Sequence, residues 1–186
     1  MIIKGKKFTI RNLFYLAVYY VVAIRMGGGK KSLGRKLRCL CAKNIFKYCA
    51  PHVNIERGAV FGSGLDVELG EHSGLGKNCL VPSNIKIGDN VMMGPNCYIF
   101  DRNHGHDRID IPMIQQGFTE KLITIIEDDV WIGRNVMMTP GRHVKKGTIV
   151  AAGCVLCKDF PEYSIVGGNP SKLIKSRINN ADEGHE

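Results

Sequence analysis

The feature that most constrains this chain is a ladder with a period of six. Every sixth position from Leu69 is apolar: Leu75, Val81, Ile87, Met93 and Ile99 follow, and after a gap the series resumes as Ile126, Ile132, Met138, Val144, Val150 and Leu156. The next position is often glycine, as at Gly70, Gly76, Gly88, Gly94 and Gly133. The position four on is small or β-branched at Ser73, Cys79, Val91, Cys97, Val130, Val136, Thr148 and Cys154. A period of six fits neither a helix nor a simple hairpin. It fits a parallel β-helix running from about Ile55 to Cys157, in which each hexad makes one short strand and one corner, and three hexads close a triangular coil. Stacked coils pair their backbones at about 4.8 Å, so the first residue of each hexad points inward with the small residue four places on. Glycine, Asn and Asp at the corners tolerate left-handed backbone angles.

The ladder divides the chain into three parts. Residues 1–50 precede it, 51–160 contain it, and 161–186 follow. Leu13 to Ile24 is a run of twelve apolar residues between Arg11 and Arg25, too short for a spanning helix of about 20. The flanks do not read as a signal peptide, because Met26-Gly27-Gly28-Gly29 follows instead of a cleavage site. The run reads as a helix that either packs on the body or lies on a membrane, with contact through residues 8–25. The glycines break it. Leu33, Leu37, Leu40, Ile45 and Tyr48 are then spaced as one face of a basic amphipathic helix. The seven cysteines form no secreted-domain framework. Cys39, Cys41 and Cys49 lack paired zinc-ligand spacing and read as small apolar residues. The net charge of +9 suits an anionic partner, but it lies mainly in the terminal segments with no groove-reading motif, so nucleic-acid binding is not expected.

Between Ile99 and Ile126 the ladder is interrupted. Residues 101–122, DRNHGHDRIDIPMIQQGFTEKL, leave one corner and return to it, and an excursion of this length from a solenoid is a functional candidate. After Cys157, Asn169-Pro170 reads as a helix start, which makes residues around Lys172, Lys175 and Arg177 a short basic helix. The closing NNADEGHE reads as a frayed tail.

The segments IGDNVMMGPN, DRNHGH, DDVWIGRNV, AAGCVLCKD and IVGGNPSKLIK resemble the hexapeptide-repeat acyltransferases, and within them the maltose and galactoside O-acetyltransferases and enzymes of surface-polysaccharide pathways. The resemblance covers roughly Val53 to Lys175. It implies an all-β solenoid, a left-handed parallel β-helix with an N-terminal helical extension. It further implies a homotrimer with active sites between subunits, in the cytoplasm, moving an acetyl group from acetyl-CoA to a sugar or polysaccharide-precursor hydroxyl. His104 stands where the family keeps its general base, a task suited to a neutral imidazole; His106 is the rival. Backbone N–H groups near Gly133 and Arg134 are candidates to hold the oxyanion. Ala151 and Ala152 would lie along the pantetheine arm, Cys157 and Lys158 near its end, and Lys172 and Lys175 would face the nucleotide phosphates. Relatives often carry Thr where this chain has Cys157. Trp131, the sole tryptophan, should point outward as a ligand wall or subunit contact. Asp101 and Asn103 could orient the base or bind sugar hydroxyls.

Other readings share the fold. An antibiotic acetyltransferase has the same His loop and C-terminal motif; serine acetyltransferase differs more, having a larger helical N-terminal domain. A metal-dependent γ-carbonic-anhydrase-like protein needs three histidine ligands from adjacent subunits, and His52, His72, His104, His106, His143 and His185 show no such set in phase, so no metal is expected. A non-catalytic trimeric scaffold would need neither His104 nor the C-terminal motif.

Overall fold

The computed structural model describes residues 8–27 and 32–178. Gly28 and Gly29 of the glycine break, and the NNADEGHE tail, lie outside the described residues. The body is a three-faced parallel solenoid. The first face stacks β1 (Tyr48–Cys49), β3 (Glu68–Leu69), β5 (Lys86–Ile87), β8 (Ile125–Ile126) and β11 (His143–Val144). The second holds β2 (Asn54–Ile55) and β4 (Gly74–Leu75), then β6 (Met92–Met93), β9 (Trp131–Ile132), β12 (Ile149–Val150), β14 (Ser164–Gly167) and β15 (Lys172–Ser176). The third stacks β7 (Tyr98–Ile99), β10 (Met137–Met138) and β13 (Val155–Leu156), extended by bridges from Leu80 to Val60 and Tyr98.

The ladder is the core. Leu69, Leu75, Ile99, Ile126, Ile132, Met138 and Val150 are at most 1% exposed, and the small residues at Cys79, Val91, Cys97, Val136 and Cys154 fill the remaining interior. Corners fall where expected: Asn78, Asn90, Asn96, Asp129 and Asn135 all have φ near +55 to +58°. The asparagines also bond along the stack, Asn78 to Asn96 (3.4 Å) and Asn96 to Asn135 (3.2 Å).

One departure from the six-residue rule is invisible in the sequence. Successive strands of a face lie three hexads apart, as Glu68 and Lys86 do. Tyr48 and Glu68, and likewise Asn54 and Gly74, are paired at a spacing two positions longer. The extra pair sits in the Phe61–Gly64 corner, where Gly62 and Gly64 take positive φ. A Cβ on Gly64 would come within 2.9 Å of Ile45 and Phe61, so this corner is also where the helices seat.

Those helices are α1 (Ile10–Val21) and α2 (Leu33–Ile45), capped by Thr9 and Ser32. They are joined at their far ends by Asn12 Nδ2 donating to Asn44 O at 2.9 Å. One side of the pair closes the open end of the solenoid. Tyr19 is buried, donates to Ala59 O at 2.6 Å and packs 4.5 Å from the Phe61 ring. Arg38 is fully buried and donates to the carbonyls of Ile55 (2.8 Å), Ala23 (3.1 Å) and Met26 (3.0 Å). Cys41 is buried on α2, and Cys39, Cys41 and Cys49 do not converge into a donor cluster among the described residues.

The expected C-terminal helix is instead the strand β15. It runs antiparallel to β14, Ser164 opposite Ser176 and Gly167 opposite Lys172, after a turn holding the cis Asn169–Pro170 peptide. The physical reason is the sheet edge. The last coil leaves the N–H and C=O groups of β14 without a partner strand, and folding the tail back as β15 satisfies them. A basic helix there would have left that edge open.

Candidate active site

The outer side of the second face carries one continuous row. Met92 pairs with Trp131, Trp131 with Ile149, Ile149 with Ile165, and Ile165 with Lys175. Trp131 is 50% exposed, so its indole points outward as expected. From Trp131 to Lys175 the row crosses three strand spacings, about 14 Å. A bulge near Ile174 brings Lys172, opposite Gly167, and Lys175, opposite Ile165, to the same side of β15. Directly paired residues share a face, so both lysines stand on the side that carries Trp131.

Beside this row runs the corner between the second and third faces. Gly94, Gly133 and Ala151 stack there, each just past its strand. Backbone approaches are tight: a Cβ on Gly133 would lie 2.5 Å from Ala152 N. Gly133 N–H donates to Val150 O (2.8 Å) and Ala151 N–H to Val166 O (2.8 Å). The Gly133 amide is therefore taken up by the coil ladder, so of the two candidate positions Arg134 is the one left to offer its N–H. The next amides along, those of Arg134 and Ala152, have no acceptor among the described residues, and both residues are exposed. Trp131, Gly133, Arg134, Ala151, Ala152, Lys172 and Lys175 thus form one track along one edge.

Cys157 and Lys158 lie off it, past β13 at the corner between the third and first faces. The β14–β15 turn reaches over to Cys157: Ser171 Oγ accepts from Cys157 N (3.2 Å) and lies 3.4 Å from its Sγ. The Ser171 hydroxyl bond holds the Cys157 thiol below the usual range, with help from the Ser171 backbone and the Lys158 charge. Lys158 sits 5.5 Å over the Phe160 ring.

His104 is not on the track edge. The excursion leaves after β7 and returns to β8, so it springs from the third-to-first corner. Its two limbs pair antiparallel: His104 bridges Phe118, Thr119 N donates to Asn103 O (2.9 Å), and Leu122 N donates to Asp101 O (2.7 Å). Asp101 ties the neck through Lys121 (3.4 Å) and Arg102 (4.0 Å). Asn103 uses its backbone in the limb pairing and is exposed. The His104 ring packs 4.4 Å from Phe118, whose other partner is the Arg102 guanidinium at 4.2 Å. His106 turns back, its Nδ1 3.0 Å from His104 O. Phe118, Arg102 and Ser171 position candidate residues and went unnoticed in the sequence. Only the pairing of the two limbs, which no periodicity announces, puts Phe118 beside His104.

One histidine pair stacks in phase, although the set of three that a γ-carbonic-anhydrase-like site would need is not formed by it. His52 and His72 occupy equivalent corners of adjacent coils, rings 5.5 Å apart, with the Glu71 carboxylate against His52 Nδ1. That contact, then the His52 backbone bond and charge, holds Glu71 below the usual carboxylate range. Both rings are well exposed, and no third histidine joins them among the described residues.

The family profile described as the hexapeptide repeat of succinyl-transferase matches residues 66–101 and 123–158, the two halves of the solenoid on either side of the excursion. A Saccharomyces cerevisiae protein named for a proposed acetyltransferase activity is 33% identical over 135 residues, 72% of this chain and 67% of its own. The chain belongs to the hexapeptide-repeat acetyltransferase family. Its solenoid is therefore the left-handed parallel β-helix of that family, an exception to right-handed crossovers. The crystal structure of a maltose O-acetyltransferase from Clostridium difficile 630 superposes with a TM-score of 0.74 at 25% identity, covering 91% of this chain and 87% of that one. A hexapeptide-repeat acetyltransferase of Vibrio cholerae, complexed with acetyl coenzyme A, gives 0.67 at 26% identity, covering 95% and 96%. The chain spans about half to two thirds of the length of the curated relatives it matches.

Proposed function

We propose that this chain is an acetyl-CoA-dependent O-acetyltransferase acting on a saccharide hydroxyl, with His104 as general base. The observation that carries the reading is the separation of two half-sites. The amide-and-lysine track lies on one edge of the prism and His104 on a loop from another. Each half-site lacks what the other has. A homotrimer that sets the loop of one subunit beside the track of its neighbour supplies both, which is the family expectation. The maltose O-acetyltransferase relative supports the acceptor class and the acetyl-CoA-bound relative the donor.

In this reading the track seats the pantetheine arm against Ala152 N–H, with Lys172 and Lys175 toward the phosphates. His104 Nε2 or Nδ1 accepts the acceptor's hydroxyl proton as its oxygen bonds the thioester carbon. Arg134 N–H faces the developing oxyanion. As the C–S bond breaks, the imidazolium returns the proton to the departing sulfur, so protons balance. Asp101 and Asn103 flank His104 at the mouth of the loop and are the acceptor-side candidates. Acetyl-CoA is a cytoplasmic metabolite, so this reading places the enzyme there.

The test is acetyl-CoA turnover against a panel of sugars, nucleotide sugars and antibiotics, with His104→Ala and His106→Ala beside the wild type. His104→Ala should lower kcat by about 10²–10⁴-fold, and His106→Ala far less. Unchanged turnover in His104→Ala refutes the assignment; turnover confined to antibiotics keeps the chemistry and moves the acceptor.

A further inference from the structure

The helical hairpin closes the solenoid with one side only. The other side of α1 exposes Ile10 (89%), Leu13 (57%), Phe14 (62%) and Val21 (67%), with Ala17 between them. Their spacing is a helical stripe, so α1 is largely apolar all round while only the side carrying Asn12 and Tyr19 is buried. On α2, exposed Leu33 and Leu40 alternate with exposed Lys36 and Lys43. The charge of this segment is one-sided. From Met1 to Ile55 the chain holds 12 of the 26 Lys and Arg and none of the 17 Asp and Glu. Everything from Glu56 onward therefore carries 14 cations against 17 anions, a net −3, and the whole positive balance of the protein lies in this segment. Arg38 is buried and Lys47 pairs with Glu68, but Arg11, Arg25, Lys36 and Lys43 are exposed.

From these observations we infer that the α1–α2 hairpin docks on an anionic lipid bilayer, laying the Ile10–Val21 stripe into the interface with its cations at headgroup level. The helix has 12 residues, about 18 Å, against a hydrocarbon core of about 30 Å; no helix among the described residues is long and apolar enough to cross. It lies on the surface, where apolar burial and attraction to anionic headgroups add. A second copy of the chain fits this face less well, because it would bring the same excess of cations against it. The inference goes beyond the proposed activity and stands without it.

The full-length protein is mixed with vesicles of phosphatidylcholine alone, or with about one part phosphatidylglycerol to two of phosphatidylcholine, and sedimented. Binding is expected to the anionic vesicles only and should weaken in about 0.5 M salt. Leu13→Glu/Val21→Glu should abolish it. Lys36→Gln/Lys43→Gln should weaken it roughly fivefold per lysine. Both pairs of substitutions are solvent-facing, so an unchanged thermal midpoint shows that folding is intact. No preference for anionic vesicles, or binding unaltered by either variant, overturns the inference. So does self-association that Leu13→Glu/Val21→Glu abolishes, which would assign the stripe to a second copy. Acetyl transfer to a soluble acceptor is measured separately on the same proteins, so failure of one proposal is distinguished from failure of the other.

Discussion

Gly133→Ala tests how rigidly the coil spacing is set. The added methyl would lie 2.5 Å from Ala152 N, 2.8 Å from Ala152 Cα and 3.0 Å from Ala151 C. Ordinary contact begins at 3.4 Å, so the methyl is about 0.9 Å too close to backbone that no rotamer change can move. If the coils part by that much, the 2.8 Å bond from Gly133 N to Val150 O opens to about 3.7 Å, beyond hydrogen-bonding range. Losing one or two such bonds costs about 1 kcal/mol each, and overpacking adds about 1–3 kcal/mol. A loss of about 2–5 kcal/mol should lower the melting midpoint by roughly 4–20 °C in a chain of this size. The assay is thermal unfolding followed by circular dichroism at fixed protein concentration. Gly27→Ala is the control, because a methyl there meets nothing within 4 Å and its φ is not left-handed. The next coil supplies an internal comparison: Ala151 carries its Cβ at the equivalent corner because Gly167 stands opposite, where a Cβ would be 3.2 Å away. An unchanged midpoint for Gly133→Ala would refute the reasoning, since it would mean that the coils separate by most of an ångström without cost.

Three further outcomes follow from particular contacts. Arg38→Ala strips three carbonyls of a buried donor and leaves a cavity at the hairpin, so it should cost about 3–5 kcal/mol in urea unfolding, with Arg38→Met costing less; equal stability of Arg38→Ala and wild type would contradict the burial. Glu127 is held below its ordinary value of 4.5 by the Lys146 backbone N–H (2.8 Å) and by His143 (2.6 Å). A depressed carboxylate stabilises above its unfolded value and loses that contribution as pH falls through the folded one, so the deficit of Glu127→Gln should be present at neutral pH and fade on acidification below the ordinary value of 4.5. Cys157 should be alkylated by iodoacetamide ahead of Cys41 and Cys49, whose burial pushes their thiols up to about 11 and about 12. Ser171→Ala should slow the Cys157 reaction, and an unaltered rate would remove Ser171 as the cause.

The solenoid was legible because its core repeats. A residue that must point inward every sixth position leaves a mark even in a mixed sequence, and the same mark gave the outward side of Trp131. The helix α2 was legible, but its packed face was not the one read from Leu33, Leu37, Leu40, Ile45 and Tyr48: Leu33 and Leu40 are exposed, Tyr48 belongs to β1, and Gly34, Arg38, Cys41 and Ala42 are buried with Ile45 instead. The docking of the helices was not legible either, because it depends on Tyr19 meeting Ala59 and Phe61 far along the chain. The tail failed for a related reason. Asn169-Pro170 followed by Lys and Leu carries a helix-start pattern, while the open edge of β14 that overrides it exists only in the folded chain. Gly133 was a similar case. Glycine at a close approach pointed to the amides near Gly133 and Arg134, and only the folded ladder tells the two apart by pairing Gly133 N with Val150 O.

The steps between paired strands show where function can enter such a chain. A step of three hexads repeats without consequence beyond building the prism, as from Glu68 to Lys86 or Trp131 to Ile149. Three steps differ. The step from Tyr48 to Glu68 is two positions longer; it makes room at Gly64 for the helices and so sets the orientation of their exposed stripe. The step from Lys86 to Ile125 is more than twice the regular one, and the added length carries His104. The step from Ile149 to Ile165 is two positions shorter; it tightens the last coil, so that the chain can return as β15 and set Lys172 and Lys175 beside the Trp131 row. The longest departure was plain in the sequence because it silenced the ladder. The two small ones were hidden because both phases stay apolar through them: Val67 and Leu69 are each buried, and a shift by an even number of positions preserves inward and outward alternation. In this fold the repeat fixes what cannot vary, and the departures from its period place the helical cap, the candidate base and the candidate phosphate contacts on three different parts of one prism.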